Sequence, residues 1–165
     1  MKIYVASKVK HAPMWRELRS LGWPINSTWI DESGEGESSS LSDLASRCIN
    51  EAAEADVLLL YCEPGEVQKG AMVEVGAALA SGTPVASVGR CETTSKTFVE
   101  HPWWFEMFSV GDALMWAWNW RGLPVSERPP TTPAHHEPPP ATAPLATPST
   151  THRAAVLTVG REENT

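Results

Sequence analysis

Short apolar runs alternate along the chain with segments in which apolar residues recur every three or four positions. The runs are typical of strands covered on both faces, and the recurring segments are typical of amphipathic helices. The predicted strands are KIYVAS (2–7), PINSTWID (24–31), DVLLLYC (56–62), PVASVG (84–89) and FEMFSV (105–110). This alternation predicts an α/β fold with an open, doubly wound, five-stranded parallel sheet of the Rossmann or flavodoxin type.

Four helices are predicted from the same pattern. The first spans 11–21, with Pro13 near its start and Gly22 after its end. The second follows Ser40, which is a plausible N-cap because Asp43 stands three residues later. Its apolar stripe comprises Leu41, Leu44, Ala45, Cys48, Ile49 and Ala52. The third runs out of EPGEVQKG (63–70) to Ala80, a loop occupies 32–39, and the fourth helix spans 112 to about 120.

The composition changes sharply near residue 121, since 9 of the 14 prolines lie in 121–165. The pattern predicts an α/β domain over 1–120 and a disordered tail rich in Pro, Thr and Ala over 121–165. No apolar run approaches the roughly 20 residues of a membrane span, and the N-terminal apolar stretch is too short for a secretory signal. We therefore expect a cytoplasmic protein that has no membrane partner.

The formal net charge is −7, which argues against bulk nucleic acid as a partner. The cysteines are Cys48, Cys62 and Cys91, an odd number without CxxC spacing, so neither a disulfide framework nor a zinc site is indicated. Adjacent histidines in the tail, His135 and His136, are more often solvated than metal-bound. We expect no metal and no cofactor.

In open α/β sheets, ligands bind beyond the carboxyl ends of the strands. This rule selects Ser7 and Lys8, Asp31, 63–69, and Gly89 with Arg90. Glu74 falls at the edge of the buried stripe of the third helix, and Glu66, Gly70 and Glu74 follow at i, i+4 and i+8. The glycine leaves room for a ligand between two carboxylates. The alternative is that Glu74 pairs with Lys8 or Arg90 and merely closes the core.

The segments KIYVAS, ADVLLLY and GAMVEVGAALASGTPV together resemble the nucleoside 2-deoxyribosyltransferase family, which includes the related 2′-deoxynucleoside 5′-phosphate N-hydrolases. The family's first-strand Tyr and the Glu of its ExGxA pattern fall on Tyr4 and Glu74. The chain departs from the family at Cys48 and Gln68, where the family usually or often has Asp. The resemblance implies a homodimer or larger homo-oligomer that cleaves or exchanges the N-glycosidic bond of a nucleoside or nucleotide.

In such a reaction Glu74 would be the nucleophile, since a carboxylate can stabilise an oxocarbenium-like state or form a glycosyl ester. A second acid with a raised pKa would protonate the leaving base, and Glu66, then Asp31, are the candidates. Tyr4 would orient the nucleophile. Ser7 and Lys8 would bind a 5′-phosphate. Further candidate substrate-binding residues are Gln68, Gly70 and Arg90, while Glu66, Asp31 or Asn50 could replace the polar residue that a neighbouring subunit supplies in the transferases.

A second hypothesis is a catalytically inactive nucleotide-binding or sensing domain whose tail recruits partners. A dinucleotide or redox enzyme is disfavoured because no GxGxxG follows the first strand. Five of the eight tryptophans lie between 103 and 120. They could stack on a nucleobase or fill the core, but we favour a role in a subunit interface.

Overall fold

The computed structural model describes residues 1–32 and 40–120 and confirms a parallel α/β sheet. The strands are β1 (Ile3–Ala6), β2 (Val57–Tyr61), β3 (Val85–Val88) and β4 (Trp104–Met107). The helices are α1 (Ala12–Ser20), α2 (Leu41–Ala53), α3 (Lys69–Ala80), α4 (Lys96–Val99) and α5 (Val110–Trp120), with 3-10 turns at Val9–His11 and Thr28–Ile30.

The four described strands are parallel and lie in the order β1-β2-β3-β4. Every residue of β1 and β3 is buried, which explains why these segments are continuously apolar. Helices α2 and α3 pack together against the sheet, whereas α5 packs on β2, β3 and β4. The carboxyl ends of β1 and β2 are neighbours, so the residues that follow them share one edge of the sheet.

The prediction of a second strand over 24–31, which would make five strands in all, is wrong within the described residues. Ile25 makes only an isolated bridge to Ile3, and a 3-10 turn follows at Thr28–Ile30. The hydroxyl of Ser27 accepts a hydrogen bond from the Val5 backbone N–H at 2.7 Å, and the indole N–H of Trp29 donates to the Val5 carbonyl at 2.8 Å. Two side chains therefore take the hydrogen-bonding positions that a fifth strand would occupy.

The predicted cap of α2 is confirmed, because the Asp43 N–H donates to the Ser40 hydroxyl at 3.2 Å. The predicted apolar stripe of this helix is only partly right. Cys48 and Ala52 are buried, whereas Leu41 and Ile49 are 79% and 38% exposed. Packing against α3 covers only part of the apolar face of α2.

Helix α3 begins at Lys69, so Glu66 lies in the turn before it. The column of Glu66, Gly70 and Glu74 predicted along one helix face is therefore wrong. Only Gly70 and Glu74 share the helix, and Glu66 reaches its surroundings from the loop that follows β2.

The aromatic residues of the last strand and last helix pack mainly on one another. Phe105 lies 4.8 Å from Trp116 and 5.5 Å from Trp120 between ring centroids, and Trp103 lies 6.0 Å from Trp120. Trp104 and Trp120 are buried. These rings form an aromatic cluster inside the chain, and Trp118 stands apart from it against Trp23.

No helix among the described residues is long and apolar enough to cross a membrane. The predicted tail over 121–165 and nearly all of the predicted loop over 32–39 lie outside the described residues.

Candidate active site

Glu74 faces the centre of the sheet from α3, where it meets Tyr4 of β1. The Tyr4 side chain is wholly buried, and its hydroxyl finds no hydrogen-bond partner of good geometry among the described residues. Burial raises the pKa of Glu74 to about 7, the Tyr4 hydroxyl lowers it, and the charge of Glu51 raises it. Burial first, and then the electrostatic interactions with Glu74 and Cys48, also raise the pKa of Tyr4. A carboxyl group and an unsatisfied hydroxyl therefore interact in a poorly solvated place.

Cys48 completes this group from α2. Its thiol is buried, and burial is the main cause that raises its pKa. The thiol is thus protonated at neutral pH and acts as a small, weakly polar neighbour of the Tyr4 hydroxyl. We call Tyr4, Cys48 and Glu74 the Tyr–Cys–Glu group.

Glu51 lies one turn beyond Cys48 on α2 and contributes negative charge to the same region. Its two carboxylate oxygens accept hydrogen bonds from Thr28, one from the backbone N–H at 2.9 Å and one from the hydroxyl at 2.7 Å. Arg47 donates to the same hydroxyl at 2.7 Å. The Glu51 carboxylate is therefore fixed, and its charge is one reason that Glu74 holds its proton up to about pH 7.

A second group of residues surrounds an open cleft of about 570 Å³ at the carboxyl ends of β1 and β2. The cleft is lined by Lys8, Val9, Lys10, Gly65, Glu66 and Val67. Its position agrees with the rule that ligands bind beyond the carboxyl ends of parallel strands.

Glu66 is the centre of a polar network at this cleft. The Lys10 ammonium lies 2.8 Å from one carboxylate oxygen of Glu66, and the His11 ring nitrogen Nε2 lies 3.1 Å from the same oxygen. The other oxygen accepts hydrogen bonds from the Glu63 backbone N–H at 2.9 Å and from the Gln68 amide at 3.2 Å. Burial raises the pKa of Glu66, but these partners outweigh burial and lower it to about 2.

This network corrects the prediction that Glu66 is an acid with a raised pKa. Asp31, the second candidate for the acid that protonates the leaving base, is also ionised, because its ion pair with Arg19 lowers the pKa of the carboxyl. Both carboxylates are therefore ionised at neutral pH and accept hydrogen bonds. The raised pKa belongs to Glu74 instead.

The other predicted residues fall into two sets. Ser7 and Gln68 are held by hydrogen bonds: the Trp15 indole donates to the Ser7 hydroxyl at 2.8 Å, and the Gln68 amide donates to the Tyr61 carbonyl at 2.6 Å. Lys8 and Gly70 are exposed, and a Cβ at Gly70 would meet no atom within 4 Å. Arg90 is exposed beside Glu106 at 3.4 Å, so it does not serve as the partner of Glu74 that we considered.

His11, Glu63 and Glu66 form the group that could hold a metal ion among the described residues. One ligand atom from each lies within 4.8 Å of the others. The Lys10 ammonium already contacts both carboxylates, at 2.6 Å for Glu63 and 2.8 Å for Glu66. The positive charge that this group attracts is thus supplied by the protein itself.

Sequence reasoning missed Glu51, His11 and Lys10. Glu51 could have been found from its spacing, because residues three apart on a helix share a face and Cys48 was already placed inward. His11 and Lys10 carried no such signal, since a 3-10 turn at Val9–His11, rather than a helix, brings them to Glu66.

No family model matches the chain, and no curated protein matches it. Among solved structures, the 2-deoxyribosyltransferase of Bacillus psychrosaccharolyticus is similar with a TM-score of 0.48 and 20% identity, covering 68% of this chain and 96% of that one. The CMP N-glycosidase of Clostridium botulinum is similar with a TM-score of 0.45 and 14% identity, covering 70% of this chain and 95% of that one. A deoxyribosyltransferase and an N-glycosidase are thus among the solved structures to which this chain is similar.

Proposed function

We propose that the chain cleaves or exchanges the N-glycosidic bond of a nucleoside or nucleotide, with Glu74 as the nucleophile. The observation that carries this proposal is the half-buried Glu74 carboxyl, whose pKa is raised to about 7 beside the unpartnered hydroxyl of Tyr4. No cation acts on Glu74 among the described residues. A carboxylate that is largely buried without one is costly, so a role in chemistry explains it better than packing does. The resemblance of 70–84 to the deoxyribosyltransferase pattern agrees with this role.

The reaction needs a carboxylate at the anomeric carbon. As the C1′–N bond breaks, its electron pair leaves with the base, and positive charge develops on the sugar. A Glu74 oxygen would then form an ester bond to C1′. Water would attack C1′ and release Glu74 in a hydrolase, whereas a second base would do so in a transferase.

Tyr4 and Cys48 would position the nucleophile. The Tyr4 hydroxyl is able to donate a hydrogen bond to Glu74, which lowers the pKa of the carboxyl and favours the ionised form. Cys48 offers a thiol where the family usually has a carboxylate, so it adds no negative charge at neutral pH. The raised pKa of Glu74 follows chiefly from burial.

The leaving base must gain a proton, and neither Glu66 nor Asp31 is protonated at neutral pH. We therefore assign the proton to the pair of His11 and Glu66, in which the ionised Glu66 lies 3.1 Å from the imidazole nitrogen Nε2. A histidine held by a carboxylate is a common donor of this kind.

The cleft offers groups for the rest of the substrate. Lys8 is an exposed cation at its rim, and Ser7 is fixed next to it by Trp15. Together they would hold a 5′-phosphate, which favours a nucleotide over a nucleoside. The open space over Gly70 leaves room for the sugar or base near Glu74, and Gln68 supports the wall through Glu66 and Tyr61. Arg90 remains a candidate for contact with an anionic group.

The test is incubation of the full chain with each 2′-deoxynucleoside and its 5′-monophosphate, with and without a free base, followed by chromatography of the released or exchanged base. We expect turnover that falls at least about a thousandfold in Glu74→Ala, a loss of roughly 4 kcal/mol of transition-state stabilisation. Glu17→Gln, an exposed change on α1, serves as the control. Mass spectrometry of Glu74 peptides after rapid quenching should reveal the glycosyl ester.

The alternative function, nucleotide binding or sensing without catalysis, is favoured by two observations. Cys48 and Gln68 replace family aspartates, and both candidate acids are ionised in ion pairs. Binding of a nucleotide that needs Lys8 but shows no base release under any condition would support this alternative and exclude the enzyme.

The proposal also includes a homodimer or larger homo-oligomer, as the resemblance implies, and a cytoplasmic location, as we expect from the sequence. Analytical ultracentrifugation of the full chain tests the assembly. A protein that sediments as a monomer at all concentrations, yet is active, would exclude a site completed by a second subunit.

A further inference from the structure

An apolar groove lies between the end of α1 and the outer side of α5, away from the cleft and from the Tyr–Cys–Glu group. It is lined by Leu21, Gly22, Trp23, Met115 and Trp118 and encloses about 320 Å³. We call it the Trp groove. Leu21, Met115 and Trp118 are 72%, 53% and 50% exposed. Large apolar side chains that are exposed together in a concave surface commonly mark a binding site.

The geometry of the two tryptophans indicates what would bind. The rings of Trp23 and Trp118 are perpendicular, at 89°, with centroids 6.3 Å apart. At this separation the two indoles pack edge to face on each other, so a ligand would lie across the outer surfaces of both rings. Proline-rich segments bind in aromatic grooves of this kind, because proline is already restricted and loses little entropy on binding. Met115 adds a side chain that adapts to irregular shapes.

The sequence that follows α5 supplies such a segment. Helix α5 ends at Trp120, two residues beyond Trp118, and the sequence continues with RGLPVSERPPTTPA (121–134). Within it, 123–133 contains four prolines together with Leu123 and Val125. An extended chain advances about 3 Å per residue, so this segment can reach a groove that starts within one helical turn of the end of α5.

We propose that the segment 123–133 binds in the Trp groove of its own chain. The covalent link raises the effective concentration of the segment to roughly the millimolar range, so weak contacts suffice for occupancy. Burial of Trp118 and Leu21 then removes apolar surface from water. The groove gives part of the proline-rich region a role that is independent of the proposed catalysis.

The experiment is 19F NMR of the full chain labelled with 5-fluorotryptophan, in which the eight resonances are assigned by single Trp→Phe substitutions. The test variant is Pro129→Ala/Pro130→Ala/Pro133→Ala. The control is Pro138→Ala/Pro139→Ala/Pro140→Ala, which makes the same change outside the segment. We expect the test variant to shift the resonances of Trp23 and Trp118 and to leave the other six in place, while the control shifts none.

A synthetic peptide of 123–133, added to the test variant, should restore both resonances in a saturable manner. Leu21→Ala should weaken this titration about tenfold, as expected for the loss of one large apolar contact worth about 1.4 kcal/mol. Unchanged Trp23 and Trp118 resonances in the test variant would overturn the proposal. So would resonances that depend on protein concentration equally in both variants, because a second copy would then occupy the groove.

Discussion

Glu74 is predicted to destabilise the folded chain at neutral and alkaline pH. Its pKa is 4.5 as a free group and about 7 in the fold, so the folded state keeps a proton that the unfolded state has lost. Between these values, stability falls as pH rises, because ionisation is easier in the unfolded chain. A difference of 2.5 units at about 1.36 kcal/mol per unit amounts to about 3 kcal/mol above pH 7.

Glu74→Gln removes the ionisation and keeps the shape of the side chain. We expect the variant to match the natural chain in stability at pH 4 and to exceed it by about 3 kcal/mol at pH 8. The variant should also lose the proposed glycosidic activity, so stability and activity should change in opposite directions.

Urea denaturation at pH 4, 6 and 8, followed by far-UV circular dichroism, measures the difference. Glu17→Gln is the matched control, because a change on the exposed face of α1 should alter stability by less than about 0.5 kcal/mol at every pH. If Glu74→Gln stabilised the chain equally at pH 4 and pH 8, the gain would come from packing. The reasoning from proton linkage would then be refuted.

Three further predictions concern Tyr4, Glu66 and Gly89. Tyr4→Phe should leave stability within about 1 kcal/mol, since the lost hydroxyl makes no hydrogen bond of good geometry among the described residues. It should also move the acidic limb of the pH–rate profile to higher pH, because the hydroxyl lowers the pKa of Glu74; an unmoved limb would contradict it. Glu66→Gln should destabilise the chain at pH 7 by urea denaturation and much less near pH 3, because a lowered pKa contributes stability that is lost on acidification. Gly89→Ala should lower the melting temperature strongly, because the new Cβ would lie 2.0 Å from the Cys62 carbonyl oxygen and the backbone φ is +78°. Gly76→Ala is the control: its Cβ lies in open space inside α3, so it should raise the melting temperature by a few degrees, about 0.5–1 kcal/mol. Equal effects of the two substitutions would refute the argument.

The strands could be predicted from the sequence where burial of apolar side chains alone decides the structure. The segments of β1, β2 and β3 are covered on both faces, so their apolar runs alone identify them. The sequence could not show that 24–31 forms no strand, because side chains decide this: Ser27 and Trp29 make hydrogen bonds to the Val5 backbone where strand pairing was expected. A sequence pattern shows which residues are apolar but not which atoms bond to a distant backbone.

The same limit applies to the candidate site. The inward position of Glu74 follows from the period of α3, and its neighbour Tyr4 follows from the resemblance. The direction in which the Glu66 pKa shifts could not be predicted, because the shift depends on Lys10 and His11, which a short 3-10 turn brings to the carboxylate. Burial without a cation raises a carboxyl pKa and burial with cations lowers it, and only the partners distinguish the two cases.

The side chains of Ser27 and Trp29 also decide where this sheet could grow. An edge strand with unpaired backbone N–H and C=O groups can pair with a strand of another polypeptide and so start aggregation. At Val5 both backbone groups are engaged, since Ser27 accepts from the N–H and Trp29 donates to the carbonyl. Strand addition is therefore blocked beside β1. Among the described strands, the other outer strand is β4, where the exposed charge of Glu106 opposes the approach of an apolar strand.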